Sequence, residues 1–249
     1  MTKERVIVIT GGASGIGKET AYKLADEGVK LVIADFNESL AKEVASDIND
    51  KGGTSVSYKV DVSQKEEMEA LIDFTVKEFG TITGIFNNAG IGLVKPFLEM
   101  DPSSYHKVIE VDQDSVYFGM YYAAKKMVEL EVRNGVIVNT ASIYGSMAAV
   151  GSFNYNAAKA AVISMSRSGA LELAPHNIRV VGVAPGFIDT PILNDLDEAT
   201  KTYLANLHMR KKLISPEKIA SVVRFLFSED ADAINGSTVA VDDGFLAFK

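Results

Sequence analysis

The sequence predicts an α/β domain built on a doubly wound parallel sheet of about seven strands, and three observations carry that expectation. Short β-branched runs alternate with longer segments of helical periodicity from one end of the chain to the other. Those runs show little polar alternation, as strands covered on both faces do. No proline-rich or low-complexity linker and no internal repeat interrupts the pattern, so the 249 residues read as a single domain. Right-handed crossovers between parallel strands then place helices on both faces of the sheet.

Taken in order, the first strand is expected over Arg5–Thr10, whose Val6–Ile9 run falls far below the ~20 apolar residues of a membrane span. A helix over Gly15–Gly28 leads to the strand Lys30–Asp35, which carries Leu31-Val32-Ile33-Ala34. The next units are a helix over Glu38–Asp50, a strand over Ser55–Val60, a helix over Lys65–Phe79 and a strand over Thr83–Asn87. One long helix is expected over Pro102–Leu130, then the strand Gly135–Ala141, the helix Asn154–Leu173 and the strand Ile178–Val183. A helix over Pro216–Phe227 and a strand over Thr238–Val241 complete the alternation. The irregular tract is Pro185–Ser215. It reads either as a lid around residues 186–214, since ligands in open α/β sheets lie beyond the carboxyl ends of the strands, or as a surface helix pair. Its cluster His208-Met209-Arg210-Lys211-Lys212 reads as a solvated helix end rather than an anion site.

Composition excludes several classes of function. With 25 Lys+Arg against 33 Asp+Glu the formal charge is -8, which gives no support to general binding of nucleic acid or anionic membrane. The absence of Cys removes disulfides, thiolate metal sites and cysteine nucleophiles, and suits a reducing compartment. At 47% hydrophobic and 23% charged residues the chain has the makings of a sizeable core. The N-terminus lacks the basic start, long apolar stretch and cleavage site of a secretory signal, so a soluble cytoplasmic protein is expected.

The junction of the first strand and first helix reads Thr10-Gly11-Gly12-Ala13-Ser14-Gly15-Ile16-Gly17. Glycines at 11, 15 and 17 suit a tight turn, a close backbone approach to a pyrophosphate and close packing of helix on strand, with the helix N-terminus facing the anion. The acidic residue ending the second strand, Asp35, is placed to accept hydrogen bonds from an adenosine ribose and to repel a 2'-phosphate. Its neighbours Phe36 and Asn37 supply no cation, so NAD(H) is expected over NADP(H). The alternative is that Asp35 caps the following helix.

Tyr155 and Lys159 stand four residues apart, on one face of a helix. Two other Tyr-x3-Lys pairs, Tyr121 with Lys125 and Tyr122 with Lys126, lie inside a long helix without a strand-end serine. Tyr155 begins its helix, and Ser142 lies 13 residues upstream at the end of a strand, so both point toward one pocket. Interconverting a carbonyl and an alcohol by hydride transfer needs a group that gives or takes a proton at the oxygen, and a phenol serves both directions. Its ordinary pKa of ~10 is high for a base, which gives the Lys159 cation a reason to stand close. The Ser142 hydroxyl can hold the same oxygen.

With these residues in place, the chain closely resembles the short-chain dehydrogenase/reductase family. The matching stretches are TGGASGIG at Thr10–Gly17, Asp61-Val62 after the third strand, NNAG at Asn87–Gly90, Ser142, YNAAK at Tyr155–Lys159 and PGFIDT at Pro185–Thr190, in family order. The resemblance implies a Rossmann-type sheet, nicotinamide chemistry on a small-molecule alcohol or carbonyl, and a homotetramer. It assigns Asp61 and Val62 to the adenine, and Asn88, Ala89 and Gly90 to the central cofactor region. Ile188 and Thr190, with Pro185 and Gly186 of the same stretch, fall at the nicotinamide. Lys159 reaches a cofactor ribose.

Two positions depart from the family pattern. Asp112 stands in Val111-Asp112-Gln113 where an Asn is usual, in a relay that holds a water through its main-chain carbonyl. A carboxylate there brings negative charge near Lys159 and weakens the lysine's pull on Tyr155, so a working enzyme with a shifted pH optimum is expected. Val241-Asp242-Asp243-Gly244 replaces the usual Asp-Gly-Gly, a segment that supports subunit contact in the family. The histidines His106, His176 and His208 have no metal-ligand spacing and read as surface residues, so no metal is expected. Tyr144, Gly145–Val150 and Phe153, with Leu93, Val94, Phe187 and Leu193, tilt the expectation toward an apolar substrate, although plain packing serves equally. A non-catalytic NAD(H)-binding module is the alternative function, yet it has no need of Ser142, Tyr155 and Lys159 together. A sugar-nucleotide epimerase or dehydratase is the enzymatic alternative, and its separate substrate domain has no room in 249 residues.

Overall fold

A computed structural model describes residues 4–190, 193 and 196–248; residues 191, 192, 194 and 195 of the expected lid tract lie outside the described residues, as do 1–3 and 249. Seven strands form one sheet in the order β3-β2-β1-β4-β5-β6-β7, and every neighbouring pair is parallel. The strands are β1 (Val6–Thr10), β2 (Lys30–Asp35), β3 (Thr54–Lys59), β4 (Gly84–Asn87), β5 (Gly135–Thr140), β6 (Ile178–Pro185) and β7 (Thr238–Val241). Between them run α1 (Gly15–Ala25), α2 (Glu38–Asp50), α3 (Lys65–Phe79), α4 (Pro102–Ile109), α5 (Ser115–Glu129), α6 (Phe153–Leu173), α7 (Glu198–Leu207) and α8 (Pro216–Leu226).

Strand sequences without polar alternation arise here from two cores. Ile7 and Ile9 of β1 face one way and pack with Leu24 of α1, Val44 of α2 and Val223 of α8. Val8, between them, faces the other way, toward Leu71 of α3, Ala123 of α5 and Val162 of α6. Burial on both faces is what the β-branched runs require. The strand order reverses between β1 and β4, where Ile9 lies opposite Phe86, and this opens a crevice beyond the carboxyl ends of these two strands.

One local feature differs from expectation, and one of the two readings of the irregular tract gains support. The single helix expected over Pro102–Leu130 is interrupted by a π-helical turn at Glu110–Asp114. Such turns insert an extra residue and rotate the side chains around it, and nothing in hydrophobic spacing announces them. The tract after β6 also contains a regular helix, α7, capped by Asp197, whose carboxylate accepts the Thr200 N–H at 2.7 Å. No residue of α7 is buried, so the helix lies on the molecule rather than in it. A parallel bridge between Ile188 and Ile214 ties the two ends of the tract together.

Candidate active site

The glycine turn, Asp35, Asp61, Asn88, Ser142 and Pro185 follow the carboxyl ends of β1 to β6 in turn, so a parallel sheet brings them to one edge. At the turn, Gly11 and Gly15 adopt φ of +62° and +50°. A Cβ on Gly17 would stand 2.2 Å from the Gly11 carbonyl oxygen and 2.8 Å from Asn88 Nδ2, so only glycine lets α1 start against the turn. The Ser14 hydroxyl makes no capping bond, and the first turn of α1 holds no acid, which leaves the N–H groups and positive dipole end of α1 for an anion.

Asn88 braces this turn from β4. Its side-chain N–H groups donate to the Thr10 and Gly11 carbonyls at 3.1 and 3.2 Å, and the backbone N–H groups of Asn88 and Ala89 both donate to Thr10 Oγ1. At the end of β2 the Asp35 carboxylate accepts the N–H of Ala13 at 3.1 Å and of Asn37 at 2.9 Å. The cap of α2 is Asn37, which accepts the Leu40 N–H, so Asp35 is not that cap. Phe36 is exposed beside it. Asp61 is held after β3 by Ser63, and Val62 is buried behind it. An uncapped helix start, a bare glycine turn and a carboxylate fixed next to it are a set that fits a dinucleotide.

The second cluster lies across the crevice. Ser142 caps a short turn after β5 and accepts the Tyr144 N–H at 3.2 Å. Tyr155 and Lys159 extend from the first turns of α6, with Lys159 Nζ 5.5 Å from the Tyr155 ring centroid. Lys159 is 2% exposed, and its ammonium donates to the Thr140 carbonyl at 3.0 Å. The π-turn delivers Asp112, fully buried, so that Oδ2 lies 3.1 Å from Lys159 Nζ, a contact of charge rather than an aligned hydrogen bond. Oδ1 accepts the Ile91 N–H at 2.8 Å. A Cβ on Gly90 would press to 2.9 Å from Asp112 Oδ2, so the NNAG stretch passes this ion pair with no room for a side chain.

These neighbours set the protonation balance. Burial pushes the Tyr155 phenol up from its ordinary value; Lys159 pulls it down, Asp112 pushes it up again and Ser142 pulls it down, with the net effect upward. The pull of Lys159 has the expected sign, and desolvation outweighs it. Burial would lower Lys159, but the negative charges of Asp112 and Tyr155 hold it above its ordinary value. Burial also raises Asp112, against the pull of Lys159 and the Ile91 N–H.

Side-chain amides and aromatic contacts add to this frame. Asn139, an amide inside an otherwise apolar strand, accepts from Asn87 Nδ2 at 2.8 Å and donates to Ser166 at 3.0 Å, linking β4, β5 and α6. Its polar side chain in the run Val136-Ile137-Val138 was the available signal. Asn156 donates to the Tyr144 and Met147 carbonyls and shapes the loop after Ser142. Among the residues grouped as an apolar wall, Tyr144 and Phe187 do meet, with ring centroids 5.9 Å apart, and Tyr144 stands 6.3 Å from Tyr155. Phe153 instead packs on Phe97 and Tyr105, and Val94 and Val150 are exposed.

The other large departure is His208. His106 and His176 are exposed as expected, and so are Met209, Arg210, Lys211 and Lys212 beyond the end of α7, but His208 at the head of that cluster is fully buried. The short turn after α7 folds back on β6 and β7, with Arg210 paired to Asp243. Of the other pairs, Tyr121 and Lys125 are exposed on α5, while Tyr122 packs against the core and Lys126 pairs with Asp73 of α3 and Glu129, away from the Ser142 cluster.

A model of the family described as enoyl-(acyl carrier protein) reductase matches residues 11–246. The chain is 38% identical over 242 residues to cyclohexanol dehydrogenase of Acinetobacter sp. (strain SE19), covering 97% of this chain and 94% of that protein. It is also 38% identical over 245 residues to cis-4-hydroxycyclohexanecarboxylate dehydrogenase of Sinomonas cyclohexanicum, covering 98% and 97%. The crystal structure of levodione reductase superposes with a TM-score of 0.93 at 32% identity and 98% coverage of both chains. With the parallel sheet, the glycine turn and the Ser-Tyr-Lys cluster at one edge, these likenesses establish that the chain belongs to the short-chain dehydrogenase/reductase family.

Proposed function

We propose that this protein is an NAD(H)-dependent oxidoreductase that interconverts a cyclic secondary alcohol and its ketone. The observation that carries the reading is the convergence of Ser142, Tyr155 and Lys159 across the crevice from an open helix N-terminus and the Asp35 carboxylate. A regulatory binding module needs the second group and has no use for the first. Relatives named for cyclohexanol, cyclopentanol and hydroxycyclohexanecarboxylate dehydrogenation support the ring-shaped substrate, and the Tyr144 and Phe187 rings offer it apolar faces.

In this reading Asp35 holds the adenosine ribose, the N–H groups from Ser14 to Gly17 hold the pyrophosphate, and Asp61 with Val62 borders the adenine. Asn88, Ala89 and Gly90 border the middle of the cofactor, and Pro185, Gly186, Ile188 and Thr190 border its nicotinamide end. When bound, the nicotinamide supplies or accepts the hydride. Tyr155 Oη takes the hydroxyl proton during alcohol oxidation and returns it to the oxygen during ketone reduction. The Ser142 hydroxyl donates to the same oxygen and fixes its distance from the phenol. Lys159 holds a cofactor ribose and favours the phenolate, while Asp112 clamps the ammonium in place and limits that favour.

The exposed rings of Tyr117 and Tyr121, stacked on α5 with centroids 6.0 Å apart, support a homotetramer in which another copy covers this face. A cytoplasmic setting completes the reading; no helix among the described residues is long and apolar enough to cross a membrane. The deciding experiment measures turnover of a panel of alcohols and ketones with NAD(H) and NADP(H). Turnover of cyclic secondary alcohols, faster with NAD(H), is expected. Tight NAD(H) binding without turnover would support the module instead.

A further inference from the structure

The turn that ends α7 is held from two sides. On the inner side, His208 Nε2 accepts the Phe187 N–H at 3.1 Å, and Nδ1 donates to the Lys212 carbonyl at 2.7 Å. Because Nε2 faces a donor, the proton must reside on Nδ1, so the ring is a neutral imidazole bridging the two ends of the tract. On the outer side, Arg210 N–H donates to the Asp243 carboxylate at 2.8 Å, its guanidinium forms an ion pair with the same carboxylate, and Met209 N–H donates to the Asp243 carbonyl at 3.2 Å. Asp243 adopts φ of +50°, a left-handed conformation that suits the glycine usual at this position and disfavours aspartate. The carboxylate contacts offset that strain, and they exist only because the residue is not glycine.

What this brace positions is an aromatic wall. The Phe187 ring backs onto His208 at 5.5 Å and Phe245 at 5.6 Å, and meets Tyr144 edge-on at 5.9 Å and 81°. Tyr144 in turn meets Tyr155 at 6.3 Å and 84°. A Cβ on Gly186 would stand 2.6 Å from His208 Nε2, so the backbone before Phe187 is pressed against the imidazole. A shift of His208 therefore moves Phe187 with it.

We propose that His208, braced by Asp243 and Arg210, is a positioning residue that fixes Phe187 opposite Tyr144 and so sets the affinity for ring-shaped over open-chain secondary alcohols. The inference rests on the oxidoreductase reading above. A rigid ring gains contact from two walls held at a set separation, whereas an open chain adapts to a looser wall and loses little when it moves.

The test compares KM and kcat for cyclohexanol and 2-butanol in wild type, His208→Leu, His208→Gln and Asp243→Gly. Leu keeps bulk and removes both polar contacts, whereas Gln restores an acceptor and a donor. His208→Leu is expected to raise KM for cyclohexanol about tenfold, the scale of one lost hydrogen bond, with kcat within about twofold and 2-butanol little changed. His208→Gln is expected to recover most of the loss. Asp243→Gly, which relaxes the backbone and carries no folding risk of a cavity, is expected to raise KM for cyclohexanol about threefold, the scale of one exposed ion pair. An unchanged cyclohexanol KM in His208→Leu, a Gln variant no better than Leu, or a loss confined to kcat would overturn the proposal; if His208→Leu does not fold, an unchanged KM in Asp243→Gly would do so. If the wild type oxidises neither alcohol, the function reading fails on its own. Hydrogen exchange at the Phe187 amide then tests the brace: faster exchange in Asp243→Gly and His208→Leu than in wild type supports it, and equal exchange contradicts it.

Discussion

The cofactor side and the substrate side of the crevice are built by different means. On the cofactor side the chain positions backbone: glycines at 11, 15 and 17, an uncapped helix start and one carboxylate, braced by Asn88 through main-chain carbonyls. On the substrate side it positions side chains, and each depends on partners far away in sequence. Lys159 answers to Asp112 and Thr140, Tyr144 to Asn156, and Phe187 to His208. Backbone geometry tolerates almost no substitution and leaves a fixed motif, whereas a side-chain wall can be rebuilt residue by residue. A side-chain wall of this kind can differ between relatives named for different cyclic alcohols.

Four variants break or sharpen that contrast. Tyr155→Phe removes the proton carrier and leaves the cofactor side untouched, so kcat is expected to fall roughly 10²- to 10⁴-fold while NADH affinity by fluorescence titration stays within about twofold. Retained turnover would show that the two sides are not separable in this way. Gly17→Ala strikes the opposite side: its Cβ meets the Gly11 carbonyl, and a strain of roughly 1–3 kcal/mol corresponds to about ten- to hundredfold weaker NADH binding. Wild-type affinity in that variant would refute the turn's role. Asp35→Ser together with Phe36→Arg removes a charge that repels a 2'-phosphate and adds one that attracts it, so the ratio of kcat/KM for NADP to NAD is expected to rise about tenfold or more; an unmoved ratio would detach Asp35 from cofactor choice.

The smallest expected effect lies where the two sides meet. In the proposed mechanism alcohol oxidation needs the Tyr155 phenolate, so its kcat/KM is expected to rise with pH through the phenol's pKa, while ketone reduction needs the phenol and is expected to fall through it. Asp112 raises that pKa. Asp112→Asn removes the charge and keeps an acceptor for the Ile91 N–H, so both limbs are expected to move to lower pH. Superimposable pH profiles would mean that Asp112 acts on Lys159 without reaching the phenol.

The same contrast explains what the sequence disclosed. All seven strands were legible because burial on both faces leaves uninterrupted β-branched runs, and their ends shifted by at most a few residues, as at β6, which runs on to Pro185. The glycine turn and the Ser142-Tyr155-Lys159 spacing were legible because the chemistry fixes residue types at fixed separations. The π-turn was not, because Pro102–Leu130 keeps helical periodicity through Glu110–Asp114, and a one-residue change in hydrogen bonding leaves no trace in hydrophobic spacing. Nor was the burial of His208. In sequence it lies among Met209, Arg210, Lys211 and Lys212, and only the return of that turn onto Gly186 and Phe187 encloses it. The Asp112 carboxylate is expected near Lys159 from its place in the family pattern, and its Oδ2 lies 3.1 Å from the ammonium.

The central claim is that the Ser-Tyr-Lys cluster and the open helix N-terminus serve one hydride transfer. Cyclohexanol deuterated at the carbinol carbon, incubated with NAD and the full chain, tests it directly. One deuterium per turnover is expected in the reduced nicotinamide, with transfer lost in Tyr155→Phe. Tight NAD binding with no deuterium transferred from this or any other cyclic secondary alcohol would contradict it.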